Sequence, residues 1–441
     1  MRPLALLLAL ALAGCGGSDD SGTDTSNTGA SVVTPATSTR FAVFSDPHVY
    51  DTATLGTSAD LDAYLLQDRK MIRESSEILD SLIGDLKSTV LDFVLVTGDL
   101  TKDGEFVDHQ LMASKLAQLK ATGKKVFVVP GNHDIYNPHA MSYKASPATA
   151  ARQTSPEDFR VLYKDYGYGD AIYTDSSSLS YIAEPVVGVW LFAIDSCQYA
   201  SNSTAPITAG KINSATQTWL VAKLQEAKQK GKQVIGMMHH GIVEHYTGQA
   251  TAFPEYVVND YATVGKLFAD NSLNVMFTGH YHANDVASSN FAGPLLYDVE
   301  TGSTVTAPSP YRVIDFNIAG KQLAISSRTV RKTASHQSDF VSFARSFLID
   351  GMTALTKSQL TSAPYNLNAT TAAALAPLVA NGFAAHYSGD EKLTDAATIT
   401  TLQSMMASSD TGTKTLGQSI YSLWTDTGPA DNTVTLSLGA K

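Results

Sequence analysis

Short apolar runs recur along most of the chain, with amphipathic stretches between them. The first, "RFAVFS", has the length and the aromatic and β-branched content of a buried strand. Met71, Ile72, Ile78, Leu79, Leu82, Ile83 and Leu86 then fall on one helical face. "LDFVLVTG" predicts a second strand, Phe106 to Lys120 a helix that stops near Gly123, and "KKVFVVPG" a third strand. This β-α-β-α-β order predicts an α/β sheet covered by helices.

The pattern then returns. "VVGVWLFAID" predicts a strand, and Ser214 with Gln217 suggests a capping box opening a helix that ends before Gly231. "KQVIGMMHH" predicts a strand, Tyr261 to Asp270 a helix and "LNVMFTGH" a further strand. "GPLLYDVE" and the hairpin-like "YRVIDFNIAGKQLAISSRTV" suggest a second, partly antiparallel sheet. Beyond residue 331, "DFVSFARSFLIDGMTAL", "TTAAALAPLVANGFAA" and "ATITTLQSMMA" are Ala-rich and helical in period. They predict a helical C-terminal module without catalytic spacing, and His386 reads there as a surface or helix-end histidine.

Composition narrows the class. With 441 residues, 44% apolar and 17% charged, the chain is an ordinary globular protein of two or three domains. A net charge of −11 and the lack of basic clusters weigh against nucleic-acid binding. Nothing in the sequence sets an oligomeric state. The opening "MRPLALLLALALAGC" is too short to span a bilayer as a mature helix and reads as an export signal over residues 1–15. Its ending, Leu12-Ala13-Gly14-Cys15, resembles the lipobox of bacterial lipoproteins, which implies acylation at Cys15 and a lipid-anchored, periplasmic or cell-surface protein. If the cell is Gram-negative, Gly16 after the cysteine resembles sorting to the outer membrane. Residues 16–39 are Gly-, Ser-, Thr- and Asp-rich and read as a flexible tether. The remaining cysteine, Cys197, ends an apolar run and reads as an inert buried thiol.

The polar residues at the strand ends carry the chemistry. The runs stop at "SDPH" with Asp46 and His48, at "TGDL" with Asp99, and at "PGNHD" with Asn132, His133 and Asp134. Two later runs stop at "MHH" with His239 and His240, and at "TGHYH" with His280 and His282. Ligands of open α/β sheets gather outside the carboxyl ends of strands, so these residues are able to converge. Asp46, His48, Asp99, Asn132, His239, His280 and His282 suit a pair of cations: carboxylate, amide and imidazole fit Mn, Fe or Zn, and no thiolate is offered. The glycines before Asp99, Asn132 and His280 permit sharp turns and close backbone approach.

The set "DPH", "GD", "GNHD", "HH" and "GHYH" resembles the calcineurin-like metallophosphoesterase superfamily over residues 40–330. The resemblance implies a four-layer α/β/β/α sandwich followed by the helical module at 331–441. It implies Asp46, His48 and His282 on one metal, Asn132, His239 and His280 on the other, and Asp99 bridging, with His239 preferred over His240. His133 would act on a phosphate oxygen or the leaving alkoxide, and Asp134 would support the loop. A metal-bridging hydroxide would attack phosphorus in line, without a phosphoenzyme. Lys102 stands where Ser/Thr protein phosphatases carry an Asp that pairs with the catalytic histidine and where purple acid phosphatases carry a Tyr. Both branches are therefore disfavoured, the partner of His133 is unassigned, and Lys102 reads as a solvated surface residue, with contact to a substrate phosphate as the alternative. The layout resembles bacterial phosphodiesterases. A phosphomonoesterase or nucleotidase, and a surface lipoprotein with a vestigial site, are the alternatives; each enzyme would take a small phosphate ester.

Overall fold

The computed structural model describes residues 34–439 apart from 67, 292 and 364. The signal expected at 1–15, Cys15 within it, and residues 16–33 of the expected tether lie outside the described residues. In chain order the strands are β1 (Ser38–Phe44), β2 (Phe93–Val96), β3 (Lys125–Val128), β4 (Met141–Ser142), β5 (Thr149–Ala150), β6 (Ala171–Thr174), β7 (Tyr181–Ala183) and β8 (Val189–Ala193). There follow β9 (Gln233–Met237), β10 (Val275–Thr278), β11 (Val286–Ser289), β12 (Leu296–Glu300), β13 (Pro310–Asn317), β14 (Gln322–Thr329) and β15 (Thr433–Ser437).

Two large sheets form, one in the order β15-β14-β13-β1-β2-β3 and the other β11-β12-β10-β9-β8-β7-β6, beside the two-stranded pair β4-β5. Strand alternation stacks them. In β1, Phe41 and Val43 point into a core shared with Leu191, Ile235 and Phe277 of the second sheet, while Ala42 and Phe44 point to the opposite side. That opposite side is covered by helices Ser75–Ser88, Phe106–Lys120, Phe340–Thr361 and Ala369–His386. Helices Ser214–Gln229 and Tyr261–Asp270 cover the outer face of the second sheet through Leu220, Leu224, Val264 and Phe268. The result is the expected α/β/β/α stack. Both faces of the central strands are buried, which is why they read as continuous apolar runs.

Several expectations shift. Met71 and Ile72 precede the helix, which begins at Ser75, yet both are buried. The capping box expected at Ser214 and Gln217 is absent, and Asn213 caps that helix by accepting from the Thr216 amide at 2.9 Å. "GPLLYDVE" joins the second sheet as β12, but the hairpin β13–β14 joins the first, because β1 offers β13 a free antiparallel edge. The C-terminal region is helical over Phe340–Thr361, Ala369–His386, Ala396–Met406 and Thr411–Ser422, but it ends in β15, which pairs with β14. His386 does end a helix, yet it is fully buried rather than exposed. Cys197 is half-buried, its thiol 3.3 Å from the Pro130 carbonyl, and burial pushes its pKa well up, so it stays protonated and inert.

Candidate metal centre

Strands β1, β2 and β3 run parallel in one sheet, and β9, β10 and β12 in the other. Their carboxyl ends face a common edge. Asp46 and His48 follow β1, Asp99 follows β2, Asn132 and His133 follow β3, His239 follows β9, and His280 and His282 follow β10. Asp46, His48, Asp99, His280 and His282 all hold positive φ, between 38° and 78°, a region that non-glycine residues rarely enter. Such strain concentrates where the surrounding structure over-determines a functional geometry. Gly98 and Gly279 make the approach possible: a Cβ on Gly98 would lie 2.6 Å from His239 Nδ1, and one on Gly279 would strike Ser45 Oγ.

The donor atoms converge in two groups. Asp46, His48 and His282 form one, Asp99, His239 and His280 the other, with the donor atoms of each group within 4.8 Å of one another. In the first, His282 Nε2 lies 3.5 Å from Asp46 Oδ1 and 3.4 Å from His48 Nε2. In the second, His239 Nε2 lies 3.3 Å from Asp99 Oδ2 and 3.1 Å from Asn132 Oδ1. Asp99 Oδ2 is also 3.7 Å from His48 Nε2, so one carboxylate oxygen faces both groups. His240 stands apart, with Nδ1 at 2.7 Å from Ser196 Oγ and Nε2 at 2.8 Å from the Thr208 carbonyl.

The second nitrogen of each converging imidazole is held from outside. His48 Nδ1 meets the Thr101 carbonyl at 3.3 Å, His239 Nδ1 the Thr97 carbonyl at 2.9 Å, His280 Nε2 the Glu255 carbonyl at 3.2 Å, and His282 Nδ1 Thr306 Oγ1 at 3.1 Å. This fixes ring orientation and tautomer, as around metal-ligating histidines. The inner nitrogens then turn lone pairs towards one another, and Asp46 Oδ1 is buried without a hydrogen-bond partner. A buried carboxylate oxygen facing imidazole lone pairs is costly unless a cation sits between them. The residues present therefore fit metal ions. Burial lowers the pKa of His48, His280 and His282, leaving them in the neutral form that ligation needs. Burial also opposes the charge of Asp99, but His239 and His133 outweigh it and hold Asp99 well below the usual carboxylate range.

His133 is held by a residue that the sequence reading did not assign. Its Nδ1 lies 2.8 Å from Asp103 Oδ1, and its Nε2 lies 3.9 Å from Asp99 Oδ2, on the side of the donor cluster. The partner is thus one position beyond Lys102, where the resemblance had looked. Lys102 is not a solvated surface residue: it is fully buried, ion-paired with Asp103, 3.4 Å from Glu105 Oε1 and over the Tyr64 ring at 4.3 Å. The "DLTKDGE" stretch offered the signal, an acid on each side of the lysine within one tight loop. Burial works against a charged His133, but Asp99 and Asp103, resisted by Lys70, outweigh it and raise its pKa. Asp134 accepts from the amides of Gly131, Leu100 and Thr101, which ties the β2 loop to the β3 loop. Two further cations come close: Lys70 is buried 3.4 Å from Asp68, and Arg69 Nε donates to Tyr387 Oη at 3.0 Å. Their positive charge depresses the pKa of His282 further, after burial and against Asp46.

The chain is similar to several known proteins. A dimetal phosphatase from Danio rerio superposes with a TM-score of 0.47 at 14% identity, covering 66% of this chain and 96% of that one. A purple acid phosphatase from yellow lupin gives 0.41 at 12% identity, covering 66% and 52%. No curated protein matches the sequence. The description "Calcineurin-like phosphoesterase" matches residues 39–284, more than half of the 441 residues, and the chain therefore belongs to the calcineurin-like phosphoesterase family of metal-dependent phosphoric ester hydrolases.

Proposed function

We propose that the protein is a phosphodiesterase using two metal ions, held by Asp46, His48 and His282 on one side and Asn132, His239 and His280 on the other, with Asp99 between them. When bound, the pair supplies an acidified water and positive charge for the phosphate oxygens. The rest falls to the chain. Asn132 contributes an uncharged oxygen that leaves that positive charge uncancelled. His133, fixed at Nδ1 by Asp103, presents Nε2 to the site and donates its proton to the leaving alkoxide.

The observation that favours a diester is the pairing of the nearby lysines. Lys102 is matched by Asp103 and Lys70 by Asp68, so among the described residues Arg69 is the nearby cation without a carboxylate ion pair of its own. A diester brings one negative charge to the site and a monoester about two. The monoester reading rests on the same Arg69 and Lys70 turning to the substrate. Hydrolysis of bis-p-nitrophenyl and mono-p-nitrophenyl phosphate, compared with added Mn²⁺, Zn²⁺ or Fe²⁺, separates the readings. A higher kcat/KM on the diester is expected; a monoester preference would reverse the assignment, and no turnover with any metal would point to a vestigial site. Anchoring through acylated Cys15 is part of the same proposal and is supported by the Leu12-Ala13-Gly14-Cys15 motif. Cys15→Ser should abolish incorporation of labelled palmitate.

A further inference from the structure

A second group of ligand-type side chains lies where the C-terminal helices meet the sheet. Asp285, immediately before β11, meets His386, the last residue of helix Ala369–His386, and Glu391 just beyond it. One donor atom from each lies within 4.8 Å of the others, and all three residues are at least nine-tenths buried. His386 Nδ1 is 2.9 Å from Glu391 Oε1 and 3.6 Å from Asp285 Oδ2. Four donors on one cation at about 2.0–2.1 Å stand roughly 3.3–3.4 Å apart, so these separations bracket a tetrahedral edge.

Two independent features point to a missing occupant. Asp285 Oδ2 and Glu391 Oε2 are buried and accept no hydrogen bond, although such oxygens normally find a donor. The buried Arg312 is engaged by other groups: its guanidinium donates to the carbonyls of Glu300, Asp285 and Asp431 and to Ser327 Oγ. Asp285 is braced as a metal-binding carboxylate would be, with Oδ1 2.7 Å from His245 Nδ1 and Oδ2 turned to His386. Asp298 Oδ2 and Glu300 Oε2 lie 3.4 and 3.5 Å from His245 Nε2, on the far side of that ring from Asp285.

We propose that Asp285, His386 and Glu391 bind a structural divalent cation of the zinc type, additional to the catalytic pair, which fastens the end of helix Ala369–His386 to the strand end at Asp285. The two carboxylates would balance the ion's charge, and the imidazole adds the nitrogen donor that zinc favours. The site is separate from the catalytic cluster, joined to it by contacts running from His386 through Tyr281 and Tyr256 to His280.

The test is the zinc content of the full-length protein after saturation with Zn²⁺ alone and desalting. Wild type should retain about three equivalents per chain, and Glu391→Gln and Asp285→Asn about two each. Because the readout is a difference of one equivalent at this cluster, it is independent of the catalytic assignment. His239→Ala should lose zinc at the catalytic pair while still showing the further loss when combined with Glu391→Gln. A folded His239→Ala chain that retains no zinc overturns the proposal even if neither variant at the cluster folds. So does a folded Glu391→Gln protein that retains as much zinc as wild type.

Discussion

At the residue scale, the roles of Asn132 and His133 diverge although they are neighbours. Asn132 Oδ1 lies among the donor atoms, whereas His133 makes its closest side-chain contact with Asp103. Asp103→Asn should therefore lower kcat by about 10–100-fold with bound metal unchanged, while Asn132→Ala should reduce metal content itself. Metal analysis beside steady-state kinetics checks both, and loss of metal in Asp103→Asn would undo the division. His109 makes a separate prediction about pH. Its imidazole is fully buried against Thr101, Tyr163 and the Asp134 carbonyl, and burial lowers its pKa from 6.5 to about 4. Between those values the unfolded chain binds the proton and the folded one does not, so this group costs stability as pH falls from 6.5 towards 4. At pH 5 the cost is about 2 kcal/mol. Unfolding of wild type and His109→Gln at pH 7 and pH 5 should show a smaller acid loss in the variant.

At the scale of elements, central strands such as β2, β8 and β10 were legible because each is buried on both faces and reads as an unbroken apolar run. Helices Phe106–Lys120 and Tyr261–Asp270 begin and end where their sequence patterns begin and end. Boundaries set by one side chain were not legible. Asn213, not Ser214, accepts the Thr216 amide, because the residue whose backbone is extended (φ −65°, ψ 157°) is the one able to turn its side chain back over the first turn. Asn213→Ala should cost about 1 kcal/mol in chemical denaturation and Ser214→Ala only a few tenths. Equal effects would restore the capping box. Strand β15 was missed for another reason: "TVTLS" is short and lies after helical sequence, and it is a strand only because β14 offers an edge to pair with.

For the whole molecule, the C-terminal helices are part of the core and not an appendage. Phe340, Ala344, Leu348, Met352, Ala380, Ala384, Tyr387 and Leu423 pack in the same cluster as Ala42, Phe44, Val94 and Val128 of the first sheet. Each buried Leu or Phe contributes about 1.5–3 kcal/mol. A chain ended at residue 330 would uncover this face and the β14 edge together, and it should be insoluble or lose cooperative thermal unfolding. A soluble truncation with an unchanged Tm would mark the region as independent. Among the described residues, no helix is long and apolar enough to cross a membrane.

Local chemistry reaches a limit that these particular residues mark. The sequence by itself determined the layer pattern, the strand ends and the residue types gathered there, because apolar period and turn chemistry act over a few neighbouring positions. It could not rank His239 above His240 except by resemblance. The fold engages both nitrogens of His240 with Ser196 and Thr208 and turns His239 to Asp99. Nor did it reveal that Lys102 is buried, that Asp103 holds His133, or that Asp285 meets His386 and Glu391. Those pairings join residues through space, and partners far apart along the chain are chosen by packing and desolvation, which only the tertiary structure decided.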